Sequence, residues 1–286
     1  MKNKPSFNLK ISCPGRSGII AAIGNFFVDS GCFIKELHQF DDLDSKRFFS
    51  SIEFVFEGDK KPSVEQLKAA FEVTALRFDM EWAIHDMTEP TKVLIMVSKY
   101  DHCLRDLLYR RSTNELNIEI TAVVSNHEEL RYLVEREGIP YIYLPVTKDT
   151  KVQQEARLLE IVKETHSELV VLARYMQILT DNICTTLAGR CINIHHSFLP
   201  GFKGAKPYYQ AYSRGVKLIG ATAHYVTPDL DEGPIIEQMV ERVNHACDAE
   251  TLTLVGRDIE AQTLARAVKY HVNHRVFHNS LRTVVF

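Results

Sequence analysis

Asn193 and His195 stand two residues apart at the end of an apolar run, in the stretch CINIHHSFLP from Cys191 to Pro200. Residues two apart in a strand face the same side, so the amide and the imidazole share a face and His196 is expected to point away. An Asn NH2 and an imidazole N–H aimed at one point can hold a carbonyl oxygen as it gains negative charge, which is half of a site for acyl chemistry. The other half is a proton carrier. HYVTPDLDEGPII, His224 to Ile236, supplies Asp229 and Asp231 in a short loop between apolar strands. A carboxylate in a partly desolvated loop is expected to have a raised pKa and to shuttle protons. Taken singly, an Asn at a strand end is a turn former, a His there a satisfied histidine, and an acid before Gly a solvated turn. Their spacing alone defines a candidate site and no more.

Other chemistries fit less well. His195, His196, His224, Asp229 and Asp231 are all ligand types for a metal, but adjacent strand histidines diverge and there is no HExxH or other compact spacing, so no metal is expected. Ser197 lacks a GxSxG elbow. Cys191 opens a buried strand and reads as a core thiol. No GxGxxG or GxxxxGKS loop is present, so nucleotide binding of those kinds is not supported.

These residues need elements to hold them. The chain has 286 residues, 45% hydrophobic and 25% charged, with a formal net charge of -3. That is a globular chain long enough for two domains, with no bias towards nucleic acid or an anionic membrane. Six cysteines without a CxxC pair fit free thiols in a reducing compartment. The N-terminus has no apolar signal core and no run reaches membrane-spanning length, so a cytoplasmic protein is expected. Strands are expected over 7–12, 32–40, 47–56 and 80–85, with helices over 18–30 and 64–78: a βαββαβ order. The polar HDMTEPTK, His85 to Lys92, marks a boundary, giving domains 1–86 and 87–286. Beyond it, strands at 93–97, 118–124, 141–144 and 169–172 alternate with helices at 104–110, 128–135 and 152–165, and CINI continues the series. Strands apolar on both faces and alternating with helices argue for a doubly wound, mostly parallel α/β sheet. Strands at 218–226 and 234–240 and a closing helix over 251–277 complete the expectation. Ligands of such sheets bind beyond the carboxyl ends of strands, where Asn193 and His195 sit.

The run from Ile192 to Gln238, INIHHSFLPGFKGAKPYYQAYSRGVKLIGATAHYVTPDLDEGPIIEQ, resembles the formyltransferase domain that handles 10-formyltetrahydrofolate, whose pattern is Asn-x-His-x-Ser-x-Leu-Pro, then Thr-x-His, then Asp-x-Asp-x-Gly. CPGRSGIIAAIGNFFVDSGCFI, Cys13 to Ile34, resembles an ACT domain, and the two together resemble the formyltetrahydrofolate deformylase family over essentially the whole chain. The resemblance implies hydrolysis of 10-formyltetrahydrofolate to formate and tetrahydrofolate, without a cofactor, in one-carbon and purine metabolism. It implies that Asn193 and His195 hold the formyl oxygen and that Asp231 is the catalytic aspartate. Thr222 and His224 match residues lining the site, Gln177, Ile178 and Leu179 a segment against the pterin ring, and Val226, Asp229 and Leu230 the loop opposite. His102 lies in DHCL, a form expected of the deformylases. The related transformylases carry a Gly-containing phosphate loop where this chain has SKYDHCLRDLLYR, Ser98 to Arg110, without glycine. His196 stands where transformylases usually have Pro, Tyr209 where deformylases have His, and PGRSG where ACT domains often have PDRPG. The ACT resemblance implies a homo-oligomer and an amino-acid effector, glycine or methionine, near Gly15 and Gly18. The alternatives are a transformylase of the same fold and an amino-acid-sensing protein whose second domain is inactive.

Overall fold

The computed structural model describes residues 5–57, 63–199 and 207–286. Pro200 and the run to residue 206, part of the formyltransferase-like motif, lie outside the described residues. Two compact units are present, Met1–Pro90 with Asn273–Phe286, and Thr91–Val272. The expected division into 1–86 and 87–286 differs from this chiefly in the last fourteen residues.

The first unit runs β1 (Phe7–Pro14), α1 (Ile19–Asp29), β2 (Cys32–Asp42), β3 (Arg47–Phe56), α2 (Val64–Phe78) and β4 (Glu81–Asp86). The strands form one antiparallel sheet in the order β2-β3-β1-β4, the βαββαβ topology. Alternation sorts its two faces. Leu9, Ile11 and Cys13 of β1 pack into one core with Phe26 and Phe27 of α1 and Phe71 of α2. Phe26 meets Phe71 edge-on at 4.9 Å between centroids. α2 buries Leu67, Phe71, Ala75 and Phe78, a stripe at helical spacing. Its start is fixed by a capping box, in which Gln66 N–H donates to Ser63 Oγ at 3.2 Å and Ser63 N–H to Gln66 Oε1 at 2.8 Å. Ser63→Ala is expected to destabilise this unit by about 1 kcal/mol, seen as a lower urea midpoint with unchanged slope.

The opposite face of this sheet is covered by a hairpin, β12 (Val276–Asn279) and β13 (Arg282–Val285). Phe49 of β3 meets Phe277, Lys10 of β1 donates to the Val276 carbonyl, and Asn279 donates to Asp42 at 2.6 Å. The closing helix therefore ends at Val272, not near Phe277. His274 takes a left-handed φ of 57°, which stops the helix, and Ser280 at 57° turns the hairpin.

The second unit runs β5 (Thr91–Val97), α3 (His102–Ser112), β6 (Ile118–Ser125), α4 (Arg131–Glu135), β7 (Tyr141–Tyr143), α5 (Lys151–Glu164), β8 (Leu169–Leu172), α6 (Asp181–Thr186), β9 (Cys191–His195), α7 (Pro207–Ser213), β10 (Leu218–Tyr225), β11 (Ile235–Arg242) and α8 (Ala249–Val272). The short helices α6 and α7 were not anticipated. Its sheet has the order β11-β10-β9-β8-β5-β6-β7. β5 to β9 are parallel, and β10 and β11 add an antiparallel pair at one edge. Every residue from Val93 to Val97 is fully buried, as a central strand covered on both faces requires. The chain leaves β5 towards β6 and β7, then returns to place β8 on its other side. The carboxyl ends of β5 and β8 thus flank a topological switch point, where a crevice opens. Ser98, just after β5, stitches the crevice floor: its N–H donates to the Arg174 carbonyl, its Oγ to Asn126, and Met176 N–H donates to that Oγ. Among the described residues no helix is long and apolar enough to cross a membrane. All six cysteines are free.

Candidate active site

A cavity of about 550 Å3 opens beyond the carboxyl ends of β8 and β9. Strand alternation brings Asn193 and His195 to the same face of β9, and both line it. β10 runs antiparallel beside β9 with His224 opposite Asn193 and Thr222 opposite His195. Cross-strand neighbours touch, so Asn193 Nδ2 lies 3.3 Å from His224 Nε2. A bulge between Ala223 and His224 of β10 against β11 sits beside this pair. His224 Nδ1 is 2.9 Å from the Tyr225 carbonyl, which can only accept, so Nδ1 carries a proton and Nε2 faces the site.

The loop after β10 brings in the acid. Tyr225 N–H donates to the Pro234 carbonyl and Val226 N–H to the Cys191 carbonyl, which fastens both ends of the loop. Gly233 is required by close approach, because a Cβ there would fall 1.8 Å from the Tyr225 oxygen. Asp231 has a φ of 57°, a left-handed conformation that Asp tolerates better than most residues. Its Oδ2 lies 3.1 Å from His195 Nδ1 and its Oδ1 3.6 Å from His224 Nε2. Burial pushes the Asp231 carboxyl up, but the hydrogen bonds and charges of His195 and His224 outweigh it and hold it well below the usual carboxylate range. The expectation of a raised value is therefore reversed: the partners that the loop reaches decide the sign, not the loop's partial burial. His195 Nε2 lies 2.9 Å from Ser197 Oγ, so both ring nitrogens are engaged and the ring is fixed.

The remaining expected residues divide into two groups. Gln177, Ile178, Leu179, Val226, Leu230 and His102 line the cavity. The segment holding Gln177 to Leu179 is anchored where Thr180 N–H and hydroxyl donate to the buried Glu155. Thr222 does not line the cavity. It is fully buried, and its hydroxyl donates to the Ser197 carbonyl and accepts from Leu199 N–H and Gln238 Nε2, so it braces the turn after β9 from beneath. Asp229 is exposed, outside the wall, and its carbonyl accepts from the Thr227 hydroxyl. In the first unit Gly18 takes a φ of 91° at the start of α1, and Gly15 N–H donates to the Lys46 carbonyl.

His196 does not point away. β9 ends at His195, so strand alternation no longer applies, and the His196 ring stacks on His195 at 4.9 Å with a 21° tilt. Behind it lies a buried ionic cluster that the sequence did not suggest. Glu260 of α8 is 1% exposed. It accepts from Tyr208 at 2.6 Å and His102 at 2.8 Å and lies 3.2 Å from Arg174 Nε. Burial raises its carboxyl, but His102, Arg174 and Tyr208 bring it below the usual range. Gly256, one turn before Glu260, makes room for Tyr208, since a Cβ there would fall 2.1 Å from the ring. His102, Cys103 and Glu260 lie close enough to share an ion. Glu260, however, already serves two hydrogen bonds and a guanidinium, and burial and the Glu260 charge push the Cys103 thiol up, so the donor set does not suit a cation.

A sequence model of the formyl transferase family matches residues 91–268. A protein of Corynebacterium sp. (strain P-1) named formyltetrahydrofolate deformylase is 49% identical over 97% of this chain and 96% of its own. A crystal structure of formyltetrahydrofolate deformylase from Burkholderia mallei superposes with a TM-score of 0.94 at 53% identity, covering 99% of each chain. Glycinamide ribonucleotide transformylase 1 from Symbiobacterium toebii superposes over 69% of this chain and 94% of its own, with a TM-score of 0.65 and 25% identity.

Proposed function

Because the chain belongs to the formyltetrahydrofolate deformylase family and hydrolyses 10-formyltetrahydrofolate to formate and tetrahydrofolate, we propose that Asn193, His195 and Asp231 carry the reaction without a metal ion or cofactor. The observation that supports this assignment is the Asp231 carboxylate held between His195 and His224, with Asn193 beside them at the cavity wall. The pterin lies against the apolar wall of Leu179, Val226 and Leu230 and the backbone of 177–179. The formyl oxygen enters between the Asn193 amide and the His195 ring and takes the place of one present partner of that ring. Water attacks the formyl carbon, the carbonyl electron pair moves onto oxygen, and Asn193 and His195 donate to the oxyanion. Asp231 takes a proton from the water and returns it to N10 as the C–N10 bond breaks. His224, fixed by the Tyr225 carbonyl, holds Asp231 in place.

The loop after β5, residues 98–101, is SKYD. Without glycine its amides are poorly placed to crowd a phosphate, which disfavours a phosphorylated acceptor and supports water instead. The first unit, on this reading, is an ACT-type regulatory domain that joins subunits. β2 is an edge strand of eleven residues that exposes Phe33, Leu37 and Phe40, surface suited to pairing with a second copy. Glycine or methionine would act at the turn of Gly15 and Gly18, where the Gly15 N–H is already engaged, leaving the first turn of α1 for a ligand. The free thiols support a reducing compartment such as the cytosol, and formate release there would balance folate pools for purine synthesis.

Formate release from 10-formyltetrahydrofolate by purified protein, with EDTA present and no acceptor, tests the assignment. Formate in step with tetrahydrofolate is expected. Loss of release on chelation, restored by a divalent ion, would overturn the metal-free route.

A further inference from the structure

His102 and His196 are imidazoles of the cavity wall that the mechanism above leaves unused, and His102 is already bound to Glu260. His196 Nδ1 lies 2.6 Å from Arg174 Nη1. A guanidinium can only donate, so Nδ1 is the acceptor and the ring proton of the neutral form sits on Nε2. Burial, then the Arg174 charge, lowers the His196 pKa to about 4, which keeps the ring neutral at ordinary pH. Arg174 is itself held by Glu260, and Glu260 by His102 and Tyr208, so the tautomer is set by a chain of buried groups. Nε2 is buried and has no hydrogen-bond partner among the described residues. Buried donors are rarely left unpaired, and this one belongs to a ring that lines the cavity and stacks on His195.

We propose that the His196 Nε2–H receives the oxygen of the attacking water and thereby selects water over amines as the formyl acceptor. The inference rests on the roles given above to Asn193, His195 and Asp231. The chemistry discriminates through lone pairs. A water molecule forms the new C–O bond with one lone pair, gives one proton to Asp231, and keeps a second lone pair to accept from His196. When C–N10 breaks, that same oxygen becomes one of the two formate oxygens and carries part of its negative charge, so the donor helps through to product. The remaining proton leaves as formic acid ionises. An amine spends its only lone pair on the new C–N bond and then presents only N–H groups, so it meets the His196 N–H donor to donor. A proline at this position, which the transformylase pattern carries, has no side-chain donor to make that distinction.

The test compares three variants in the full chain. His196→Phe keeps a flat ring against His195 but no N–H, and His196→Gln keeps an N–H donor. Asp231→Asn is run beside them. Each is assayed for formate release and for formyl transfer to added glycinamide. His196→Phe is expected to lower kcat for hydrolysis about ten-fold or more with KM within about two-fold, and to raise the ratio of formylglycinamide to formate. His196→Gln is expected to recover part of the rate and the wild-type ratio, and it decides the question should the Phe variant not fold. Unchanged kcat or an unchanged product ratio in His196→Phe overturns the inference, as does a His196→Gln that shifts the ratio towards formylglycinamide, while a dead Asp231→Asn leaves the parent mechanism standing. An active Asp231→Asn overturns the mechanism itself.

Discussion

Asp231→Asn is expected to fold normally and to release formate about 10²–10⁴-fold more slowly than the parent chain. The change is isosteric, and Asn tolerates the left-handed φ of 57° at this position as well as Asp does. Its Oδ1 can still accept from one histidine, so the loop has no reason to move. What disappears is the charge that faces His195 Nδ1 and His224 Nε2 and the only oxygen in the triad that can take a proton from water. The expected signature is a fall in kcat with KM for the folate nearly unchanged, because the apolar wall at Leu179, Val226 and Leu230 is untouched. A pH measurement separates this from misfolding. The folded-state pKa of Asp231 is depressed, so its contribution to stability is present above the unfolded value of about 3.9 and is lost as pH falls through the folded value. Unfolding monitored from pH 5 downwards should therefore show a shallower acid loss in Asp231→Asn. An unaltered slope would mean that the histidines do not hold the carboxylate. Near-parental turnover would remove Asp231 from the chemistry altogether.

Alternation made the heart of this site readable. Asn193 and His195 share a face because they are two apart in β9, and no tertiary information is needed to see that. The βαββαβ unit and the parallel sheet were readable for the same reason, since Leu9-Ile11-Cys13 and Val93–Val97 declare one buried face and two. Strand rules stopped being informative where the strand stopped. His196 lies one residue past the end of β9, and its placement is decided by Arg174, which is 22 residues away. The sign of the Asp231 shift was equally hidden, because partial burial is a property of the loop whereas the two histidines are supplied by two different strands. The expected closing helix takes in only the first two hairpin residues, Val276 and Phe277, and the rest of β12 and β13 was not anticipated. The pair of short runs VFHN and RTVV around Ser280-Leu281 is the signal that would have marked it. Thr222 was placed in the site by motif, and the pairing of β10 with β9 shows instead a residue that braces the site.

Glu260→Ala is expected to destabilise the second unit by about 3–5 kcal/mol. The loss does not come from the carboxylate's attraction alone. Removing it leaves the Arg174 guanidinium, 10% exposed, without its counter-ion, and leaves the Tyr208 hydroxyl and a His102 N–H without an acceptor. Desolvated groups that lose their partner are more damaging than the pair was helpful, since burying an ion pair recovers little of the hydration it forfeits. That asymmetry makes a second measurement decisive. In Glu260→Ala with Arg174→Met, both charges are gone and no unpaired ion is left buried, so the double variant should be more stable than Glu260→Ala alone. Urea midpoints of the two single variants and the double variant close the cycle. Additive losses would mean that Arg174 and Glu260 are independent, and that the chain of groups reaching from α8 to His196 is a set of separate contacts. A strong positive coupling would show one connected ionic core behind the cavity. The same coupling should appear in catalysis, because a loosened Arg174 no longer fixes which nitrogen of His196 carries its proton. Glu260→Ala should then lower kcat more than it raises KM, although Glu260 lies behind the His196 wall and never meets the formyl group.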